Sequence, residues 1–423
     1  MGSEKEWEDD STEGPDNPSH DGKATKNNFN PAMKNIRLSP IVRISEKALE
    51  MGPPYRERTG KDFVYFQRGE VDFSTPEYIK EAAKRALDEN RTKYPRSGGE
   101  PEFKDAILRK LLDFNQAENL TRENIVCTYG GMEALQLSFK LFEGGKAGTF
   151  APYWSPISEN FVPFLQMDLI ELPLKEDFGV DFDLLDEVLK EVNIFYFNTP
   201  NNPTGKVFSE DEVKKIAELC YQNDAYLLSD EPYERIVYDG KEHFSAASLD
   251  YDNIISAFSF SKTYSMTGWR MGYLVSRDPK VAGMLKLGNY SCTAGVVQFL
   301  QYAGVEALDN REEGEKAIGV MVDEYKRRRD VLCSELASVD GVRFEKPEGA
   351  FYLFPNFTEL IPEDLQGKGR DEHVFDRLME NGVATVYGSC FGKDFGDNIR
   401  ISFSTTPVPI IVDGVKRIRE AFE

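Results

Sequence analysis

Between about residues 75 and 310 the chain alternates short apolar runs with longer segments whose apolar residues return every three or four positions. The runs are "NIVCT" (124–128), "AGTFAP" (147–152), "NIFYFN" (193–198), "AYLLSD" (225–230), "IISAFSF" (254–260) and "GYLVS" (272–276). Each is short, apolar on both faces and rich in Ile, Val, Phe and Tyr, the pattern of strands in a buried, mostly parallel sheet. Between two of them, Ser209 and Glu212 have the spacing of a capping box. Val213, Ile216, Ala217 and Cys220 then form the apolar stripe of the helix it would open. Regular alternation of this kind predicts an α/β layer fold.

The texture differs on either side. Residues 1–30 are acidic, carry Asn, Gly and Pro, and offer almost nothing to bury, so a disordered acidic tail is expected there. From "IRLSPIVRISEKALEMG" onward, apolar residues reappear at helical spacing. After about residue 310 a long charged helix ("EEGEKAIGVMVDEYKRRRDVLCSEL") leads into "GVRFEKPEGAFYLFPNF" and "VATVYGSCFG", which suggests a smaller α+β domain over 311–423.

Composition narrows the function. A chain of 423 residues buries a large core and divides naturally into two domains. The net charge of −22 argues against nucleic acid, whose phosphates call for clustered Lys and Arg. No apolar run approaches the ~18 residues of a membrane span, and no basic-then-apolar signal pattern opens the chain. The five cysteines are dispersed without a CxxC pair, and only three histidines are present, so no metal site is expected. Reduced thiols in a cytoplasm fit best.

Ligands of open α/β sheets gather at the carboxyl ends of the strands, and several of these ends are polar. "NIVCT" runs into Tyr129-Gly130-Gly131-Met132, a glycine turn at a helix start, where bare N–H groups suit a phosphate. "NIFYFN" leads to a turn with Asn201 and Asn202 between prolines. "AYLLSD" ends in Asp230, a carboxylate that is costly to bury without a cation or donors, followed by Tyr233. "IISAFSF" ends in a hydroxyl-rich turn with Ser259, Ser261 and Lys262, and Arg270 follows eight residues later. Two cations among hydroxyls suit a doubly charged anion. Each feature alone is equally readable as a plain turn or a helix cap. A nucleotide P-loop is absent because no Gly precedes Lys262 at the required spacing, and no GxGxxG marks a dinucleotide site.

One cofactor uses all four features together. Pyridoxal 5'-phosphate needs a lysine for its aldehyde, a carboxylate for its ring nitrogen, donors for its phenolic oxygen and a cradle for its phosphate. From about residue 36 to its end the chain resembles the fold type I, class I/II pyridoxal-phosphate aminotransferases, the aspartate and aromatic aminotransferase superfamily. The resemblance implies a mostly parallel sheet flanked by helices in a large cofactor-binding domain (76–310). A smaller α+β domain would be built from an N-terminal arm (31–75) and residues 311–423. "SFSKTYSMTGWRMGY" resembles the family's lysine motif, which makes Lys262 the Schiff-base residue and Ser259, Ser261 and Arg270 phosphate ligands. "NNPTG" would place Asn202 at the phenolic oxygen and the substrate. "SDEPY" would make Asp230 the partner of the ring nitrogen and Tyr233 a second donor to that oxygen. "YGGMEAL" implies phosphate contacts from the Gly131 and Met132 N–H groups, and "APYWSP" puts Trp154 on the ring face. "TKYPRSGGEPEFKDAI" is similar to a segment whose tyrosine, here Tyr94, reaches the phosphate of a neighbouring subunit, which implies a homodimer with shared sites. "GEVDFSTP", with Val71 where the family often has Pro, and "NIRISFS" imply Gly69 and Arg400 at the substrate carboxylate; "PEGAFYLFP" is the small-domain signature.

The reaction the resemblance implies is transfer of an amino group from an L-amino acid to a 2-oxo acid, with 2-oxoglutarate the expected acceptor. Lys262 is the general base and Arg400 the carboxylate fork. A β-lyase or ring-forming synthase would share the same residues. A non-enzymatic regulator would need a DNA-binding module, and a nicotinamide dehydrogenase lacks its glycine fingerprint. On the donor side, family members that prefer dicarboxylic substrates often carry a lysine where Met132 stands. With Tyr65, Phe66 and Trp154 near, this favours neutral or aromatic donors, and Arg68 beside Gly69 is the counterweight.

Overall fold

The computed structural model describes residues 31–34, 36–365 and 367–423, so the expected acidic tail of residues 1–30 lies outside the described residues. A two-residue strand, β1 (Val64–Tyr65), precedes the central sheet. That sheet has seven strands: β2 (Ile125–Thr128), β3 (Lys146–Ala151), β4 (Asp168–Pro173), β5 (Ile194–Asn198), β6 (Tyr226–Asp230), β7 (Ile254–Ser259) and β8 (Gly272–Ser276). All six apolar runs form strands. The seventh, β4, sits at the sheet edge in the order β2-β8-β7-β6-β5-β3-β4. Its sequence "DLIELP" is only partly buried and so lacks the two-sided apolar signature of the others. β8 runs antiparallel to both β2 and β7, and the remaining pairs are parallel.

Why these residues form these elements is visible locally. The central strands are buried on both faces, and β5 stacks Phe195 edge-on against Phe150 at 4.8 Å, while Phe197 meets Phe208 at 5.3 Å. Burying each such ring contributes about 1.5–3 kcal/mol. The Ser209 hydroxyl accepts from Glu212 N at 3.2 Å, and the Glu212 carboxylate accepts from Ser209 N at 2.8 Å. This closed capping box starts the helix Glu210–Gln222, whose Val213, Ile216, Ala217 and Cys220 are all buried.

A second layer follows β8. The 26-residue helix Arg311–Leu336 packs with the C-terminal helix Val408–Phe422 around β9 (Tyr352–Leu353), β10 (Val383–Ala384), β11 (Val386–Tyr387) and β12 (Ile399–Ser402). Strands β11, β12 and β9 form an antiparallel sheet, and β10 pairs in parallel with β1. The segment before the central sheet is thereby stitched onto the end of the chain. Parallel β5, β6 and β7 end together at Asn198, Asp230 and Ser259, facing this second layer.

Candidate active site

The site begins where β7 stops. The Ser259 hydroxyl accepts from Ser261 N at 3.2 Å and opens a single helical turn, Phe260–Thr263, which carries Lys262. Lys262 Nζ donates to the Gly69 carbonyl at 2.7 Å. Burial pushes its pKa down from 10.5 to about 8; nearby Glu70 opposes the shift, and Arg400 and Arg270 reinforce it. The chain then turns at Arg270, held in the left-handed region (φ 57°, ψ 57°) by a 2.7 Å bond from Nη1 to the Thr267 carbonyl. Such a conformation costs a non-glycine residue about 1–3 kcal/mol and marks a residue aimed for a purpose. Arg270 is aimed at the glycine turn after β2: Gly130 has φ +71°, and a Cβ there would stand 2.9 Å from Arg270 Nη2. The helix Gly130–Lys140 starts at that point, so the arginine, the Gly131 and Met132 end of the helix and the Ser259 and Ser261 hydroxyls border one space.

Asp230 closes β6 and is 6 % exposed. Its Oδ2 accepts from Tyr196 Oη at 2.9 Å and from Asn198 Nδ2 at 3.3 Å. Burial raises its pKa from 3.8 to about 7; the Tyr196 bond pulls against this and Glu231 adds to it. Neither residue that steers this carboxylate was anticipated. Asn198 was legible only as the polar end of an apolar run, and Tyr196 looked like core.

The opposite wall comes from the second layer. Arg400, on β12, is 1 % exposed. Its Nη1 donates to Asn202 Oδ1 at 3.1 Å and its Nη2 to the Gln67 carbonyl at 2.8 Å. Its Nε is buried without a partner. Asn202 is set in turn by its own N–H, bonded to Asn198 Oδ1 at 2.7 Å. Tyr352, which sequence reasoning passed over inside the "GAFYLF" run, lies with its ring 4.6 Å from the Arg400 guanidinium. Its hydroxyl is 2.9 Å from that of Tyr233. A Cβ at Gly69 would come within 2.5 Å of the same hydroxyl, which is why glycine stands there.

These groups line one cavity of about 650 Å³, within the range of small-molecule sites. Trp154, following β3, completes its wall, and the expected cofactor and carboxylate residues other than Tyr94 all border it, whereas Tyr65 and Phe66, expected near the donor side chain, do not: Phe66 is fully buried in the second-layer core. Tyr94 lies outside, 91 % exposed. Ile41 and Ser45 of the helix Pro40–Thr59 also reach the cavity, as do Arg68 and Glu70.

Beyond Asp230, Glu231, Glu234 and His243 bring three potential metal-ligating atoms within 4.8 Å of one another, a grouping the dispersed sequence positions did not suggest. Their protein partners are in place: Lys110 Nζ bonds both Glu234 oxygens at 2.5 and 2.6 Å, and His243 Nε2 bonds Glu231 at 2.8 Å.

An α/β sheet that delivers a buried lysine, a buried carboxylate and an arginine fork to one cavity is the framework of an enzyme acting on amines and carboxylic acids. The chain belongs to the aminotransferases of class I and II: the family model matches residues 61–411. It is an aminotransferase, moving an amino group between an amino acid and a 2-oxo acid. A probable aspartate/prephenate aminotransferase of Aquifex aeolicus is 37 % identical over 92 % of this chain and 98 % of its own. An aspartate aminotransferase of Pyrococcus horikoshii is 34 % identical over 92 % and 95 %. Among solved structures, the aspartate aminotransferase from Thermus thermophilus with maleate superposes with a TM-score of 0.84 at 31 % identity, covering 93 % of this chain and 99 % of that one. The lyase or synthase reading is not favoured by these relatives.

Proposed function

We propose that the transamination runs on pyridoxal 5'-phosphate held by Lys262 and Asp230 in this cavity. The observation that carries the reading is the opposed pair of perturbed groups. A buried lysine is driven down to about 8 and a buried aspartate up to about 7, each hydrogen-bonded but in no salt bridge among the described residues. A ligand offering an aldehyde to the amine and a basic ring nitrogen to the carboxylate relieves both. The orphaned Nε of Arg400 fits the remaining requirement, an α-carboxylate gripped at two points.

When bound, the cofactor supplies an electron-accepting ring that makes the substrate Cα–H acidic. Arg400 holds the substrate carboxylate, with Asn202 and the Gln67 carbonyl fixing the plane of its guanidinium. Asp230 in its charged form keeps a proton on the ring nitrogen, and Tyr196 and Asn198 keep it aimed. Asn202 and Tyr233 donate to the phenolic oxygen. Ser259, Ser261, Arg270 and the Gly131 and Met132 N–H groups receive the phosphate, and Trp154 covers the ring. With the cofactor bound, the Lys262 amine would take the proton from the substrate Cα and hand it back on the far side of the connecting nitrogen, a task suited to a base whose pKa of about 8 lies near working pH.

The reading extends to a cytoplasmic homodimer. Tyr94 does not border the site cavity of its own subunit, and exposed Met284, Leu287 and Tyr290 lie on the helix Pro279–Thr293, which supports a partner covering both. Residues 31–75 and 311–423 form the smaller domain and 76–310 the large one, a division supported by the β1–β10 pairing. All five cysteines are free, as reduced thiols would be, and among the described residues no helix is long and apolar enough to cross a membrane.

For the amino donor, Met132 lines the cavity where a cation for a distal carboxylate would stand and favours neutral or aromatic side chains, with 2-oxoglutarate as acceptor. Arg68 also lines the cavity and stacks on Tyr65 at 4.8 Å; together with the names of the aspartate-using relatives it supports a second reading, an acidic donor. Steady-state rates with phenylalanine and aspartate against 2-oxoglutarate test both. Aspartate ahead by more than tenfold, about 1.4 kcal/mol of transition-state binding, selects the Arg68 reading. Turnover that needs no oxo acid would overturn transamination itself.

A further inference from the structure

We infer that Tyr352 is a positioning residue that acts through Tyr233: its hydroxyl donates to the Tyr233 hydroxyl and strengthens Tyr233 as a donor to the cofactor's phenolic oxygen. The inference rests on the cofactor reading above.

Tyr233 follows β6 of the central sheet, and Tyr352 opens β9 of the second layer, 119 positions later. The two rings meet edge to face, 5.8 Å apart at 89°, and their hydroxyls lie 2.9 Å apart. Both residues border the cavity and both are almost fully buried, at 4 % and 1 % exposure. Burial raises both phenol pKa values, Tyr233's well above its ordinary 10, so both protons stay on at working pH. Among the described residues each hydroxyl has the other as its hydrogen-bond partner.

Two hydroxyls share one proton between them, so the pair has two orientations. If Tyr233 is to donate into the cavity, its single proton is committed there, and the bond to Tyr352 must be donated by Tyr352. The result is a chain of two hydroxyls pointing one way. In such a chain the second donor is polarised by the first, and each bond strengthens the next.

The Tyr352 ring is also closely packed on its cavity side. Tyr352 Oη rests so close to Gly69 that a Cβ there would stand 2.5 Å away, and the Arg400 guanidinium lies 4.6 Å from the ring. Gly69 in turn offers its carbonyl to the Lys262 amine at 2.7 Å. One side chain of the second layer therefore touches the parts that hold the lysine, the carboxylate fork and the phenolic-oxygen donor.

The consequence is electrostatic. A donor at the phenolic oxygen draws negative charge toward itself and away from the neighbouring C=N nitrogen that joins Lys262 to the cofactor. That nitrogen then holds its proton less firmly. Weakening the donor raises the pKa of the linkage.

The test is a spectroscopic pH titration of the holoenzyme, following the visible absorption band of the lysine-bound cofactor. The proteins are wild type, Tyr352→Phe, Tyr233→Phe and the double variant. The phenylalanine at 352 keeps the ring and its packing and removes only the hydroxyl. The expected result is a linkage pKa raised by about half a unit in Tyr352→Phe, a roughly threefold weaker hold on the deprotonated form, and by more in Tyr233→Phe. Because Tyr352 acts through Tyr233, the double variant should match Tyr233→Phe, the non-additivity of coupled residues. An unchanged or lowered pKa in Tyr352→Phe overturns the inference. So does an equal shift in both backgrounds, which would mark a general packing effect, and so does loss of cofactor retention in Tyr352→Phe. A wild-type protein with no titrating band would instead overturn the cofactor reading, so the two failures are distinguishable.

Discussion

Replacing Arg400 with lysine keeps the charge and removes the fork. In the structure the guanidinium spends one N–H on Asn202 Oδ1 at 3.1 Å and another on the Gln67 carbonyl at 2.8 Å, and holds a buried Nε in reserve. A carboxylate gripped by Nε and a neighbouring N–H gains two charge-assisted bonds. A lysine, entering on a shorter and unbranched head, supplies one. The lost bond is worth about 1.5–3 kcal/mol, which corresponds to a fall in kcat/KM of about 10- to 150-fold. Because the amino acid and the oxo acid both present an α-carboxylate, the loss should appear in both half-reactions, chiefly as raised KM. The orphaned Gln67 carbonyl adds about 1–3 kcal/mol of destabilisation, measurable separately by denaturant unfolding. The assay is single-turnover kinetics from each side of the exchange. A kcat/KM within threefold of wild type in both directions, less than about 0.7 kcal/mol, would refute the assignment of Arg400 as the carboxylate fork.

Two further outcomes follow from the same geometry. In cofactor-free protein, Asp230 is raised to about 7 from 3.8, so the folded state holds a proton the unfolded state releases, and stability falls as pH rises through that window. Asp230→Asn removes the cost: the stripped variant should exceed stripped wild type at pH 8 by up to a few kcal/mol, with little difference near pH 4, while transamination collapses; denaturant melts showing the same difference at both pH values contradict it. Mixing inactive Tyr94 and Lys262 variants should restore activity through hybrid dimers, and no recovery after proven subunit exchange speaks against a shared site.

The sheet was legible because its inner strands are buried on both faces and so are written as unbroken apolar runs. β4, an edge strand with Asp168 and Pro173 at its solvent-facing ends, carries no such mark. Strand-end chemistry was equally visible: Asp230, Ser259 and Lys262 interrupt apolar runs at a cost in desolvation that local packing alone does not explain. The second-layer residues were not legible bottom-up. Tyr352 is aromatic in an aromatic run, and nothing near it in sequence says that its hydroxyl meets Tyr233. Arg400 reaches Gln67 across 333 positions, and only the family resemblance singled it out in advance. Asn198 and Tyr196 steer Asp230 through strand register, Asn198 standing opposite Asp230 in the β5–β6 pairing.

Lys262 is the residue proposed to carry the cofactor. Reducing the holoenzyme with borohydride fixes the bond, and digestion with mass mapping identifies the modified peptide. The expected result is a single labelled lysine, Lys262, in the peptide spanning the turn after β7, with the visible band lost on reduction and Lys262→Ala protein unlabelled. Label on any other lysine, or an unlabelled wild-type enzyme that is nonetheless active, would contradict it.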